Sequence, residues 1–202
     1  MKFLAIDTSG AHLSVVAYVD GKTETAYIPN CAMKHSIVLM DEIDDICRRA
    51  HILPRECDFF GVVVGPGSFT GIRIGISTVK GLCLACGKPA VAVTSLDCLA
   101  YAEGRKSLLS LVDAGHGYFY ACPYDSNKKP VAEPRYLSGA ETEEWIEKGY
   151  APLACEELFE GCGKAEDLCG GLTGAVLAQT PVPATELAAV YLRKSSAEEQ
   201  RK

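Results

Sequence analysis

Residues 65–75 read Gly65-Pro66-Gly67-Ser68-Phe69-Thr70-Gly71-Ile72-Arg73-Ile74-Gly75 and follow directly on the apolar run Phe59-Phe60-Gly61-Val62-Val63-Val64. This pattern is a strand that empties into a glycine-rich turn and opens a helix. Gly65, Gly67 and Gly71 permit positive φ and close backbone approach, and Ser68 or Thr70 can cap the helix. The free N–H groups of such a helix start suit a phosphate or carboxylate, and a tight turn that holds no ligand is the equal alternative. Two common phosphate loops are excluded by spacing. A dinucleotide fingerprint needs its third glycine one residue earlier and an acid roughly 20 residues on, whereas the next acid here is Asp97. A Walker-type loop needs Lys-Ser/Thr after its last glycine, and Gly71 is followed by Ile72-Arg73.

The other residues with metal or nucleophile chemistry do not assemble by spacing. Of the ten cysteines only Cys83 and Cys86 form a Cys-x-x-Cys pair, inside an apolar helical pattern with no second pair and no neighbouring histidine. Cys155, Cys162 and Cys169 recur every seven residues, which fits no ligand scheme. Reduced thiols used as small hydrophobes are the expectation. The four histidines, at 12, 35, 51 and 116, fall in unrelated elements. A His-Glu-x-x-His motif is missing, and no serine or cysteine has a base at local spacing, so a peptidase reading finds no motif.

The elements that must position these residues fall into two halves with one rhythm. Strands are predicted over 2–6, 12–19 and 22–28, with Asp20-Gly21 as a hairpin signal, then a helix over 35–50 and a strand over 58–64. After the glycine loop come a helix over 70–86 and a short strand, Ala90–Val93. The second half begins with strands over Leu108–Asp113, Tyr118–Tyr124 and Pro130–Tyr136, followed by a helix near 140–148 and a strand near 150–154. The lobes are expected at 1–103 and 104–202. A chain of 202 residues that is 48% hydrophobic can bury a sizeable core, and no run is expected to approach membrane-spanning length. A soluble cytoplasmic protein is expected. The net charge of −6 argues against a domain that grips nucleic acid alone, because phosphate contacts need clustered Lys and Arg. The only notable basic cluster, Arg193-Lys194 with Arg201-Lys202, reads as a solvated tail.

The glycine string resembles the signature of the TsaB (YeaZ) family, Gcp-like proteins of bacterial tRNA threonylcarbamoyladenosine synthesis. Further landmarks run in order: Leu4-Ala5-Ile6-Asp7-Thr8-Ser9, Val112-Asp113-Ala114, and Val190-Tyr191-Leu192-Arg193-Lys194 with Ala197-Glu198. Periodicity alone gives an α/β protein. The resemblance implies the actin-like ATPase (ASKHA) fold, two ββαβα-type lobes of which the second is abbreviated. In that fold the first turns of the two meanders face each other around a nucleotide, which places Asp7, Thr8, Ser9, Gly10, Asp113 and Gly115 at the cleft beside Gly65, Gly67, Ser68, Thr70 and Gly71. Each aspartate with its small turn suits a metal and phosphate, and equally suits a carboxylate that pins its own hairpin.

The resemblance also implies a role. Its catalytic relative, TsaD, carries a His-x-x-x-His metal pair after the strand equivalent to Ala90–Val93, and alignment puts Ser95 and Leu99 at those positions. Asp97 and Cys98 are adjacent and so lie on different faces of a helix. A non-catalytic dimerisation or scaffold subunit follows, without a metal or cofactor of its own, with ATP or ADP at the partner interface left open. Its partners would be TsaD, the ATPase TsaE, tRNA through the complex, and in one alternative a second copy; no membrane is implied. The family's partner-binding helices correspond to 35–50 and 70–86, with Ile37, Met40, Asp44, Cys47, Ile74 and Leu82 as interface residues. A small-molecule kinase or nucleotide-binding protein of the same fold is the alternative, with Cys169-Gly170-Gly171-Leu172-Thr173-Gly174 as a second glycine segment that could contact adenosine. Two departures from the family pattern stand out: Gly115-His116 replaces a basic pair, and residues 155–185 are shorter and less regular.

Overall fold

A computed structural model describes residues 1–104 and 107–193. Lys194, Ala197, Glu198, Arg201 and Lys202 of the closing motif and tail lie outside the described residues. In the first half, β1 (Lys2–Asp7), β2 (Leu13–Val19), β3 (Lys22–Ile28), β4 (Phe59–Val63) and β5 (Ala90–Val93) form a sheet of order β3-β2-β1-β4-β5. The first three strands are an antiparallel meander, and β4 and β5 add in parallel through crossover helices. In the second half, β6 (Leu108–Gly115), β7 (Tyr118–Tyr124), β8 (Arg135–Ser138), β9 (Ala151–Ala154) and β10 (Gly163–Lys164) form a sheet of order β8-β7-β6-β9-β10. Strand for strand the two orders are the same, and so are the pairing directions. This internal repeat is the actin-like architecture.

Helices pack on both faces of each sheet. Helices α1 (His35–Ala50) and α2 (Phe69–Cys86) cover one face of the first sheet, where Leu39, Ile43, Ile46, Ile72, Ile76 and Val79 pack with Leu4, Ile6, Leu13 and Val62. Helix α3 (Ser95–Tyr101) follows β5 yet packs on the second sheet, with Leu99 against Leu108 and Leu153, and Leu96 against Cys122 and Tyr124. Helix α4 (Gly139–Glu147) covers the opposite face of that sheet, and α5 (Leu168–Leu177) returns to the first sheet, with Leu172 and Val176 against Phe3, Val16 and Val91. The last helix of each half therefore packs on the other half's sheet, and the two helices touch.

Three expectations are corrected. The third strand of the second half is Arg135–Ser138, not Pro130–Tyr136, because Pro130 and Pro134 lack the N–H a ladder needs; only an isolated Tyr124–Pro130 bridge forms upstream. The glycine segment Cys169–Gly174 is no ligand loop but the interior of α5. A Cβ at Gly171 would lie 2.8 Å from that of Ala102 and overlap the Cys98 carbonyl, so small residues there let α5 close on α3. The expectation that no run approaches membrane-spanning length fails at α2. At 18 residues and a mean hydropathy of 1.3 it is long and apolar enough to cross a membrane by composition, but a third of it is buried against the sheet. In the abbreviated second half, residues 155–162 between β9 and β10 hold no helix where the first half has α2.

Candidate functional site

At the end of β1 the backbone turns sharply, and the Asp7 carboxylate organises the turn. Its Oδ1 accepts hydrogen bonds from the Ser9 N–H at 2.8 Å and the Ser9 hydroxyl at 2.7 Å, and its Oδ2 meets His12 Nε2 at 3.1 Å. Asp7 and His12 are both buried. Burial alone would raise the Asp7 carboxyl, but the His12 charge and the bonds from His12 and Ser9 outweigh it and hold the carboxyl below its ordinary range. Burial likewise opposes protonation of His12, and the Asp7 carboxylate, helped by Glu156, outweighs it and raises the imidazole. The His12 carbonyl in turn accepts from His35 Nε2 at 2.9 Å, tying this turn to the start of α1.

The glycine loop packs on that turn. Ser68 caps α2 by accepting from the Gly71 N–H at 3.2 Å, while its own N–H donates to the Ser9 carbonyl at 2.7 Å. Thr8 donates its hydroxyl to the Gly71 carbonyl at 2.7 Å. A Cβ at Gly71 would overlap the Thr8 carbonyl, and one at Gly67 would overlap that of Ser9. Gly67 and Gly71 thus serve close approach of loop to turn. Gly65, with φ of 113°, receives the returning C-terminal segment, whose Val190 N–H donates to the Val64 carbonyl at 2.8 Å.

Across from this turn, Asp113 near the end of β6 is exposed, and its Oδ1 accepts from the Gly115 N–H at 2.9 Å. Between the two turns lies a cleft of about 510 Å³ lined by Ser9, Gly10, His12, Ser68, Asp113 and Lys164, among others. Of the residues expected at the site, Ser9, Gly10, Gly67, Ser68 and Asp113 line this cleft. Asp7 and Thr8 lie buried beneath it, Gly65, Gly71 and Gly115 are outside the lining, and Thr70 faces a different groove. His12, Lys164 and Glu156 at the cleft were missed. Only the i, i+5 placement of His12 after Asp7 carried a signal; the other two arrive through β9 and β10.

The Asp7–His12 pair makes stability depend on pH in a defined window. His12 is raised above 6.5, so its contribution is complete below that pH and lost as pH climbs through the folded value. Asp7 is lowered below 3.8, so its contribution is complete above that pH and lost as pH falls through the folded value. Unfolding free energy from urea titrations is expected to be greatest between those limits, and His12→Gln is expected to flatten both limbs. Equal pH profiles for the two proteins would refute the pairing.

Helices α1 and α2 flank a second groove, about 530 Å³, lined by Met40, Thr70, Arg73 and Ile74 with Phe69 at its edge. Beside it Ile37 is 72% and Met40 50% exposed, and Leu84 on α2 is 88% exposed. Asp44 is exposed, Ile74 and Leu82 are half-buried, and Cys47 is buried with its thiol pushed up to about 11, chiefly by burial. At the start of α3, Ser95 donates its hydroxyl to the Pro66 carbonyl at 2.6 Å, and Leu99 is buried against Leu108, Leu153 and Leu168. Asp97 accepts from Thr94 N and Oγ1 and, at 2.8 Å, from the Tyr124 hydroxyl; burial raises that phenol.

The family model described as TsaD, tRNA N6-adenosine threonylcarbamoyltransferase, matches residues 13–162. A protein of Escherichia coli named tRNA threonylcarbamoyladenosine biosynthesis protein TsaB is 29% identical over 81% of this chain and 72% of its own length. The Bacillus subtilis protein of the same name is 34% identical over 61% of this chain, which spans only 55% of that relative. Among solved structures, YeaZ from Pseudomonas aeruginosa superimposes with a TM-score of 0.73 at 25% identity, covering 95% of this chain and 99% of that one. A second Pseudomonas aeruginosa structure, described as similar to peptidase YEAZ, gives a TM-score of 0.78 at the same identity and coverage. A doubled β3-β2-β1-β4-β5 sheet, a glycine loop locked onto the first turn and these matches along most of the chain lead to one assignment: the chain belongs to the TsaB (YeaZ) family, within the wider group that the TsaD model describes.

Proposed function

We propose that this chain serves tRNA threonylcarbamoyladenosine synthesis as a non-catalytic dimerisation and scaffold subunit that stabilises TsaD and helps to build the platform for TsaE and tRNA. The observation that carries the reading is the packing of Ser95 and Leu99, the two positions that the resemblance sets where TsaD would carry its metal pair. Leu99 is 1% exposed inside an aliphatic cluster, and the Ser95 hydroxyl is spent on the Pro66 carbonyl. A leucine side chain offers a metal no lone pair, and its burial leaves no volume for an ion. The same logic weakens the alternative of a small-molecule kinase, because both oxygens of the buried Asp7 carboxylate already accept from donors of their own turn.

The partner surface in this reading is the α1/α2 face, where exposed Met40 lines a groove with Arg73 and Ile74, and where Ile37 on α1 and Leu84 on α2 are exposed as well. Ile37 and Met40 stand one helical turn apart on α1, and clustered exposed apolar side chains mark interaction sites. A cytoplasmic setting and an optional nucleotide at the interface belong to the same proposal. Reconstitution tests it: purified TsaD from the same source is expected to transfer threonylcarbamoyl groups to tRNA at least about tenfold faster with this chain present, an effect of the size expected when a partner populates the competent state. Unchanged transfer together with no co-purification would end the proposal.

A further inference from the structure

The stretch that follows α5 is held by both lobes. It first joins the edge of the first sheet, where Val182 and Ala90 exchange backbone hydrogen bonds of 2.7 and 2.9 Å. A short 3-10 turn, Ala184–Glu186, then brings Leu187 into the first core. Val190 donates its N–H to the Val64 carbonyl, and the Tyr191 ring stacks on Phe69 with 5.0 Å between centres. The Tyr191 hydroxyl accepts from Arg73 Nε at 3.1 Å, while the Arg73 guanidinium lies over the same Phe69 ring at 3.7 Å. Two residues further on the contacts change lobes. The Arg193 guanidinium lies 5.5 Å from the centre of the Tyr136 ring in β8, and Tyr136 is stacked on Tyr118 of β7 at 4.8 Å.

We propose that residues 187–193 are a strap that couples the wall of the α1/α2 groove to the β7/β8 edge of the second sheet. Arg73 lines that groove and Phe69 stands at its edge, so groove and strap share the same two side chains. Only Leu192 separates Tyr191 from Arg193, and a step of two residues spans at most about 7 Å, too short for one anchor to shift far without the other. The anchors are unequal. Leu187 is buried, whereas Tyr191 is 44% and Phe69 41% exposed, so the aromatic joint is the part of the strap that lets go first. An occupant of the groove that drew Arg73 away from Tyr191 would loosen that joint, and with it the hold of Arg193 on β8. By linkage, whatever orders the β8 edge favours Tyr191 on Phe69 to the same degree. Such coupling operates in the chain alone, whatever the partner, and so goes beyond the scaffold role.

Hydrogen exchange of the isolated full-length chain tests the strap, read at residues 118–124 and 135–138. Phe69→Ala, a change in the first lobe, is expected to speed exchange in β7 and β8 about two- to tenfold, the size of one lost aromatic pair, and Tyr191→Ala to do the same. The double variant is expected to exchange no faster there than either single one, because both cut the same joint. Tyr191→Phe keeps the stack, gives up only the Arg73 bond, and is expected to fall between wild type and Tyr191→Ala. Val79→Ala, which hollows the first core under α2, is expected to leave β7 and β8 near the wild-type rate. Unchanged exchange in β7 and β8 on Phe69→Ala would overturn the proposal. Equal acceleration by Val79→Ala would do so too, since the effect would then be general loss of stability.

Discussion

Gly71→Ala is expected to destabilise the protein by about 4 kcal/mol and to lower its melting temperature by roughly 10 °C, a large loss for a single methyl group. The added carbon would overlap the Thr8 carbonyl, a backbone atom of the first turn that cannot swing aside as a side chain could. Relief requires α2 to lift from β1, which breaks the Thr8 hydroxyl bond to the Gly71 carbonyl and the Ser68 amide bond to Ser9. The same helix contains its own control. Nothing lies within 4 Å of a Cβ at Gly81, so Gly81→Ala is expected to stabilise by about 0.5–1 kcal/mol through the unfolded chain's lost freedom. Thermal and urea unfolding of the two variants check the pair. Similar stabilities would show that loop and turn are not in the close contact described.

Ile37→Glu combined with Met40→Glu is expected to abolish co-purification with TsaD, weakening association at least about hundredfold, while leaving the melting temperature of the isolated chain within about 2 °C of wild type. Both side chains are largely in water already, at 72% and 50% exposure, so charge there costs the monomer little. In a docked state each carboxylate would be stripped of water against an apolar partner, a penalty of several kcal/mol that nothing offsets. Calorimetric titration of the variant against TsaD gives the affinity, and the unfolding curve gives the stability. Retained affinity would move the docking surface away from α1.

Much of the architecture was legible in the residues. Alternating and continuous apolar runs marked all strands of the first sheet, and the predicted helix over 35–50 coincides with α1. In α2 the predicted start at 70 differs by one residue, since Ser68 rather than Thr70 caps it. These signals are local: strand alternation, helical stripe, cap and turn are each decided within a few residues. The second half was harder to read. Two prolines cut β8 short, and α5, rich in Gly, Ala and Cys, has apolar residues around its whole circumference and so no stripe to betray it.

By itself, then, the chain's order of residues determined the elements of the first lobe, the glycine-loop junction and the family pattern that runs through both halves. Only the tertiary structure decided that Asp7 spends its carboxylate on Ser9 and His12, that Leu99 is buried among Leu108, Leu153 and Leu168, and that Tyr118, Tyr120 and Tyr136 form one face. The division has one cause. A backbone conformation is chosen mostly by neighbours along the chain, whereas the partner of a side chain is set by strand register and by helices that cross between sheets, bringing together residues as far apart as Tyr136 and Arg193.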